Sequence, residues 1–445
     1  MIAPLALALL QAAVLTVGPT GAFRTVTAAL AAAAPGDTIR VAAGVYREHP
    51  VLTTPVVLIG EPGAILDGGL AGTLLRVEAP ATIRGLTFRR SGRLQAEEHA
   101  GILAERADGL VIEDCRFEEV LFGIYIKESH GVIIRHNEII GKDFPVALRG
   151  DGIRLWSSHD GRVEDNHVAR VRDLVIWFSN GTVVRGNVVR DSRYGLHFMY
   201  SRDNRFEDNA FLANHVGAFI MYSQNITFRN NLFAAARGTT GRGLGFKDSD
   251  GITAERNVLV KNAVGLSLDN SPTTAGVRNA FRDNLVAYND VGVLLLPSVH
   301  SNDFVGNAFR DNLVPVRVTG GGTAQRNQWK GNYWSDYAGF DENRDGVGDT
   351  PYRYDRLSDD LLARHDELRL FAVSPATTAL DLLSRVLPLL APEAIIVDSA
   401  PVLQAPRADA PPRGSRPVGI LLAVGLTVGA GAAAWRLRRP FGRAA

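Results

Sequence analysis

GLHFMYS at 195–201 and GAFIMYS at 217–223 are two copies of one short unit. Each places a methionine at the same point, and Met199 and Met221 are the only methionines besides Met1. Read as strands, with side chains alternating between faces, Leu196 and Phe198 point one way and His197 and Met199 the other. Ala218 and Ile220 repeat the first pair, Phe219 and Met221 the second. Self-similarity at a fixed period marks a stacked repeat architecture. One face of the copies fills a core and the other faces outward.

Working outward, the period holds for most of the chain. A glycine opens successive units at Gly101, Gly123, Gly152, Gly195, Gly217, Gly243, Gly265 and Gly292, and Asp173 stands where one more is due. Fourteen residues after the first seven come Cys115, Asn137, Asn166, Asn209, Asn231, Asn257 and Asn279; Asn187 fits the same column, Asn307 follows Gly292 at fifteen, and Asn327 ends the series. A second asparagine set (Asn214, Asn262, Asn284, Asn312, Asn332) lies five further on, and serines recur six after the glycines from Ser129 to Ser298. In a parallel β-helix, equivalent residues stack about 4.8 Å apart. Stacked asparagines there hydrogen-bond along the column and satisfy backbone groups freed at a turn. The expected fold is therefore all-β, a parallel β-helix solenoid. Its strict repeats should cover 101–337, with an N-terminal cap and first coils at 20–100 and an Ala-rich helix at 27–34. Where the interval from asparagine to next glycine exceeds eight (137–152, 231–243, 279–292), the extra residues are expected in one and the same turn.

Composition excludes other classes. A net charge of +1 gives no field for nucleic acid, and one cysteine, Cys115, excludes an internal disulfide framework. Residues 2–17 (IAPLALALLQAAVLTV) are uncharged and of signal-peptide length, so 1–19 is read as a signal peptide. Residues 418–435 (VGILLAVGLTVGAGAAAW) carry no charge and precede RLRRPFGR, which reads as a transmembrane helix with a cytoplasmic basic flank. A Pro/Arg linker at 405–417 joins it to a C-terminal cap at 338–404, which holds an acidic loop and a helical segment at 378–390. The bulk of the chain is then extracytoplasmic and anchored by its tail.

Two constellations could carry chemistry. The outward column reads Lys127, Trp156, Trp177, Met199, Met221, Lys247, Asp269, and the column two residues earlier contains His197 and Phe219. Two thioethers and an imidazole are soft to intermediate neutral ligands that favour Cu(I), so His197, Met199 and Met221 form a candidate copper site walled by Trp156, Trp177 and Phe219. The same side chains equally suit a face where another protein docks. In DENRDGVGD, Asp341, Asn343, Asp345 and Asp349 take positions 1, 3, 5 and 9 of a calcium loop with Gly346 at the turn, although position 12 is Tyr352 instead of Glu. Many β-helices modify polysaccharides. Clustered carboxylates are wanted for that, and the outer column supplies only Asp269 beside Lys247.

The runs SRYGLHFMYS (192–201), GLGFKDSD (243–250), NYWSDYAGFDENRDGVGDTPY (332–352) and SPATTALDLLSRVLPLL (374–390) resemble the NosD family of extracytoplasmic maturation factors for nitrous oxide reductase. The resemblance implies a right-handed β-helix, a non-enzymatic role in denitrification, and partnership with the ATPase and membrane subunits of an ABC transporter. It also implies a copper-donor lipoprotein and the reductase itself as partners, with copper or sulfur supplied for a copper–sulfide centre. The rival expectations are a cell-surface polysaccharide-binding or -modifying β-helix and a purely docking scaffold.

Overall fold

The computed structural model describes residues 12–405, apart from 239, 372–373, 388 and 390–391. Three parallel sheets of 14, 12 and 13 strands form the walls of a solenoid, and each strand pairs with its equivalent one coil away. The winding is right-handed, as parallel crossovers are. The lumen is solid: Phe206 stacks on Phe228 at 4.7 Å, Phe211 on Phe233 at 5.1 Å, and Phe281 on Phe304 at 5.0 Å between ring centroids. Leu196, Phe198, Ala218 and Ile220 are fully buried there, as the alternation predicts.

The glycine column has a steric cause. A Cβ on Gly195 would lie 2.4 Å from the carbonyl oxygen of Gly217, and one on Gly217 2.3 Å from that of Gly243. The asparagine ladder is continuous, and in it every side chain points the same way. Asn187 donates from Nδ2 to Asn209 Oδ1 (3.0 Å), Asn209 to Asn231 (2.9 Å) and Asn231 to Asn257 (3.0 Å), while each Oδ1 also accepts the preceding ladder residue's backbone N–H. Cys115 opens the ladder, donating its backbone N–H to Asn137 Oδ1 at 3.0 Å. At the far end Asn332 donates to the buried carboxylate of Asp398.

The ladder departs from the expected count after Asn257. Its next members are Asn284, Asn307 and Asn332. Asn279 instead belongs to a separate column with Asn302 and Asn327, and Asn262, Asn289 and Asn312 form another. Extra residues between Ser271 and Asn279 lie at a different corner from the insertion at 137–152, so the expectation that all insertions share one turn is corrected. The serine column runs from Ser129 to Ser223 and from Ser249 to Ser271. Ser298 is exposed and lies outside it.

Both ends are covered. Val14–Val17 is the first strand, pairing in parallel with Thr38–Val41. The solenoid thus begins inside the segment read as a signal peptide at 1–19, and residues 1–11 lie outside the described residues. Helix α1 (Val26–Ala32) closes the first coil. Thr25 caps its N-terminus, and Glu48 accepts the N–H groups of Val26 and Thr27, both at 2.8 Å. At the other end Tyr352–Tyr354 pairs antiparallel with Ile396–Asp398, and Tyr352 stacks on Trp334 at 4.5 Å. Helix α2 (Leu357–Arg364) and helix α3 (Pro375–Val386) complete the cap. The helix expected at 378–390 starts earlier, where Ser374 as N-cap and Thr377 in the first turn form a capping box with Pro375 at the first helical position. The segment 418–435 lies outside the described residues. Among those described, no helix is long and apolar enough to cross a membrane.

Candidate functional site

The outward columns assemble as the alternation requires. Lys127 pairs with Trp156, Trp156 with Trp177, Trp177 with Met199, Met199 with Met221, Met221 with Lys247, and Lys247 with Asp269. Two residues earlier on each strand, Val175, His197, Phe219 and Gly245 are in register. A Cβ on Gly245 would lie 2.4 Å from the Phe219 ring, so this glycine leaves the space the ring lies across. Met199 and Met221 are half-buried on the face of the 12-stranded sheet.

His197 is held more firmly than the strand pattern suggests. Its side chain is only 12% exposed. The ring stacks on Tyr194 at 4.8 Å and meets the edge of Trp177 at 5.0 Å. Nδ1 lies 3.3 Å from Asp173 Oδ2. An ionised carboxylate only accepts, so in the neutral ring the proton sits on Nδ1 and the lone pair on Nε2. Among the described residues no hydrogen bond engages Nε2. Burial alone would raise the Asp173 carboxyl, but hydrogen bonds from His197 and Arg193 and the Arg193 charge outweigh it and hold it below the ordinary carboxylate range.

Asp173 is the residue that sequence reasoning passed over. It belongs to a buried network in which Asp151 accepts from Arg172 (3.0 Å) and Arg154 (3.4 Å), and Asp173 pairs with Arg193. The Arg154 guanidinium lies 5.2 Å from both the Trp156 and the Trp177 rings. The signal was present in the sequence: a charged residue occupied one place in a column otherwise kept free of side chains.

A second feature also went unread. Beside the methionines, Phe178, Tyr200 and Tyr222 form an exposed stack with centroid separations of 5.1 and 5.0 Å and nearly parallel planes. Their exposures are 39%, 48% and 40%. They occupy the left-handed corner of each coil, with φ of 53°, 52° and 52°, where other coils place Glu128, Ser157, Asp248 and Asn270. Because the rings face one another, their edges are what solvent meets.

The acidic loop closes on itself. Asp341 accepts the N–H groups of Asp345 (3.1 Å) and Gly346 (2.8 Å), Asp345 that of Val347 (2.8 Å), and Asp349 that of Glu342 (2.6 Å); Asn343 Oδ1 accepts from Asp345 at 2.9 Å. Gly346 takes φ +87° at the turn. Tyr352 is buried, with its hydroxyl donating to Asp336 at 3.0 Å, and so is no twelfth-position ligand. Cys115 is buried, and burial pushes its thiol up to about 12.

These features define a class: an extended right-handed parallel β-solenoid whose sheet face carries soft donor side chains beside an exposed aromatic stack. The chain belongs to the NosD family. The family model described as periplasmic copper-binding protein (NosD) matches residues 135–339. A Stutzerimonas stutzeri protein named probable ABC transporter binding protein NosD is 30% identical over 421 residues, 82% of this chain and 87% of that one. Its Pseudomonas aeruginosa namesake is 28% identical over 424 residues, 83% and 89% of the two chains. Among solved structures, the A-module of the Azotobacter vinelandii mannuronan C-5 epimerase AlgE6 is similar with a TM-score of 0.52 at 18% identity, covering 66% of this chain and 90% of that one. That likeness concerns the fold alone.

Proposed function

We propose that this chain is an extracytoplasmic assembly factor that holds Cu(I) in transit on His197, Met199 and Met221. It works beside an ABC transporter and passes copper toward the copper–sulfide centre of nitrous oxide reductase. One observation carries this reading: the two thioethers are in register on adjacent coils, two residues along from an imidazole whose Nδ1 is tied to a buried carboxylate. Metal-binding histidines are oriented in this way by an acceptor on the second nitrogen. The copper-binding description of the family and the transporter-binding names of the relatives support it. Copper is cargo in this scheme, so an open face without thiolates suits both loading and release.

The aromatic stack supports a docking role for the same face. Aromatic and Met side chains are enriched at protein interfaces, and Phe178, Tyr200 and Tyr222 border the methionines. In this reading a copper-donor lipoprotein or the reductase seats on the stack and reaches the ion beside it. The loop at 341–349 holds calcium as a structural clamp near the C-terminal cap, and the tail at 418–435 anchors the protein to the membrane.

Replacing both methionines (Met199→Leu, Met221→Leu) tests the copper reading. The change conserves volume and apolarity and should cost less than about 1.5 kcal/mol of stability. Cu(I) affinity should fall roughly a hundredfold or more, since even an indirect partner of a metal ligand is worth 10–100-fold. Unchanged copper affinity with normal maturation of the reductase would leave these methionines as docking residues only.

A further inference from the structure

Helix α3 is packed inside out. Thr377, Asp381 and Ser384 recur at helical spacing on one face, and that polar face is the one turned toward α2. The Asp381 carboxylate accepts both the backbone N–H and the hydroxyl of Ser358, each at 2.8 Å, and Ser384 is buried. The opposite face carries Leu382, Leu383, Val386 and Leu387, exposed by 62%, 48%, 67% and 48%. Leu389 is fully exposed, and the short turn at Asp366–Phe371 adds Leu370 at 92% and Phe371 at 56%. An amphipathic helix on a globular domain buries its apolar stripe. Here hydrogen bonds hold the polar stripe in and present an oily crest along the outer face of α3 to solvent, which marks an interaction surface.

We propose that this crest dips into the surface of a lipid bilayer. Composition argues first: the crest is almost entirely Leu and Val, with one Phe. Protein-binding hot spots favour Trp, Tyr and Arg and are poor in Leu and Val, whereas the buried side of interfacial helices is built from such apolar side chains. Position argues second. Helix α2 packs against Val314–Val318, the last strand of its sheet, so the crest sits at the C-terminal end of the solenoid. The described chain leaves from the same end, where Val402 bridges to Tyr333 and Leu403 donates to Gly346. Only the twelve residues 406–417 separate residue 405, where the described chain ends, from the uncharged run at 418–435. Twelve residues span at most about 40 Å. A tail inserted in the bilayer therefore keeps this end of the solenoid close to the lipid. For that approach the inference rests on the membrane-anchor reading above.

The test uses the full chain with Val386→Cys, labelled with a polarity-sensitive fluorophore and reconstituted in vesicles of phosphatidylethanolamine and phosphatidylglycerol. Native Cys115 is buried with its thiol held protonated, so the label goes to the new site. Insertion of the tail is read separately, from protection of residues 436–445 against added protease. We expect a blue shift on adding vesicles and about tenfold less quenching by aqueous iodide, as insertion of the crest by 5–10 Å requires. A label at Tyr200→Cys should show neither change. A shift without tail protection supports the crest and removes the anchor. No shift overturns the proposal whether or not the tail is inserted. A shift already present without vesicles assigns the crest to the chain's own tail or a second copy. One that appears only with a transporter membrane subunit assigns it to that protein. Either result also overturns the proposal.

Discussion

Asp398 ends the asparagine ladder, and Asp398→Asn, a change of one atom, should unfasten the last coils. The carboxylate is fully buried and accepts five hydrogen bonds. Oδ2 takes the backbone N–H of Asn332 (3.0 Å), its Nδ2 (2.8 Å) and Trp334 Nε1 (3.1 Å). Oδ1 takes the N–H groups of Gly331 (3.0 Å) and Ala400 (3.1 Å). An amide can keep its oxygen at only one of these positions. Keeping it at Oδ2 sets an NH2 group against the N–H groups of Gly331 and Ala400, and leaves both half-buried donors without their acceptor. Two hydrogen bonds to a charged acceptor are lost, at ~1.5–3 kcal/mol each, so the cost is about 3–6 kcal/mol. In a solenoid each coil leans chiefly on its neighbours, so the loss should stay local. Hydrogen exchange followed by mass spectrometry should show protection falling in 327–337 and 396–402, with the coils between 101 and 270 unaffected. Unchanged exchange at 327–337, or an even loss along the whole solenoid, would refute the view that this carboxylate terminates the ladder.

Two further outcomes follow from other parts of the chain. Burial pushes the Lys142 ammonium, which donates to Ser91 O and Glu119 O at 2.7 Å each, down to about 8 from the ordinary 10.5. Between those values the unfolded chain binds more protons than the folded one, so stability should rise as pH goes from 8 to 10.5; in thermal melts, Lys142→Met should flatten that rise, and an equal slope in both proteins would discount the lysine. Calcium at 341–349 should raise the melting temperature and chelation should lower it by several degrees, since a ligand at about 100 times its Kd adds about 2.7 kcal/mol; Asp341→Asn with Asp345→Asn should abolish the response, and an unchanged melt on chelation would make the loop a self-capped turn.

The solenoid, its outward column and the pairing of Met199 with Met221 were legible because a repeat shows the same constraint many times over. The misassignment of Asn279 has a physical reason too. The extra residues between Ser271 and Asn279 lie at a corner that bears its own asparagine, so counting from Gly265 reaches the wrong ladder. Asp173 stood out in its column, but its pairing with Arg193 and His197 was illegible because those partners lie 20 to 24 residues away, and spacing along the chain does not say which buried charges meet. The segment 378–390 was read as helical without a direction. Its orientation is set by Ser358 and Asp381, a hydrogen bond between two elements that no periodicity within one of them reveals.

The aromatic stack has a consequence for descent. Phe178, Tyr200 and Tyr222 stand in a left-handed backbone conformation that costs a side-chain-bearing residue roughly 1–2 kcal/mol and that glycine, asparagine or aspartate adopts more readily. Mutation alone would carry these three corners toward the residues found at Asp248 and Asn270. Stacking between the rings, worth about 0.5–1.5 kcal/mol a pair, offsets part of that cost, and in the docking reading proposed above contact with a partner supplies the rest. In any lineage whose solenoid no longer meets a partner at this face, corners 178, 200 and 222 should decay first to Gly, Asn or Asp, while the ladder and the glycine column persist. Loss of the partner would thus be written into the sequence of the protein that outlived it.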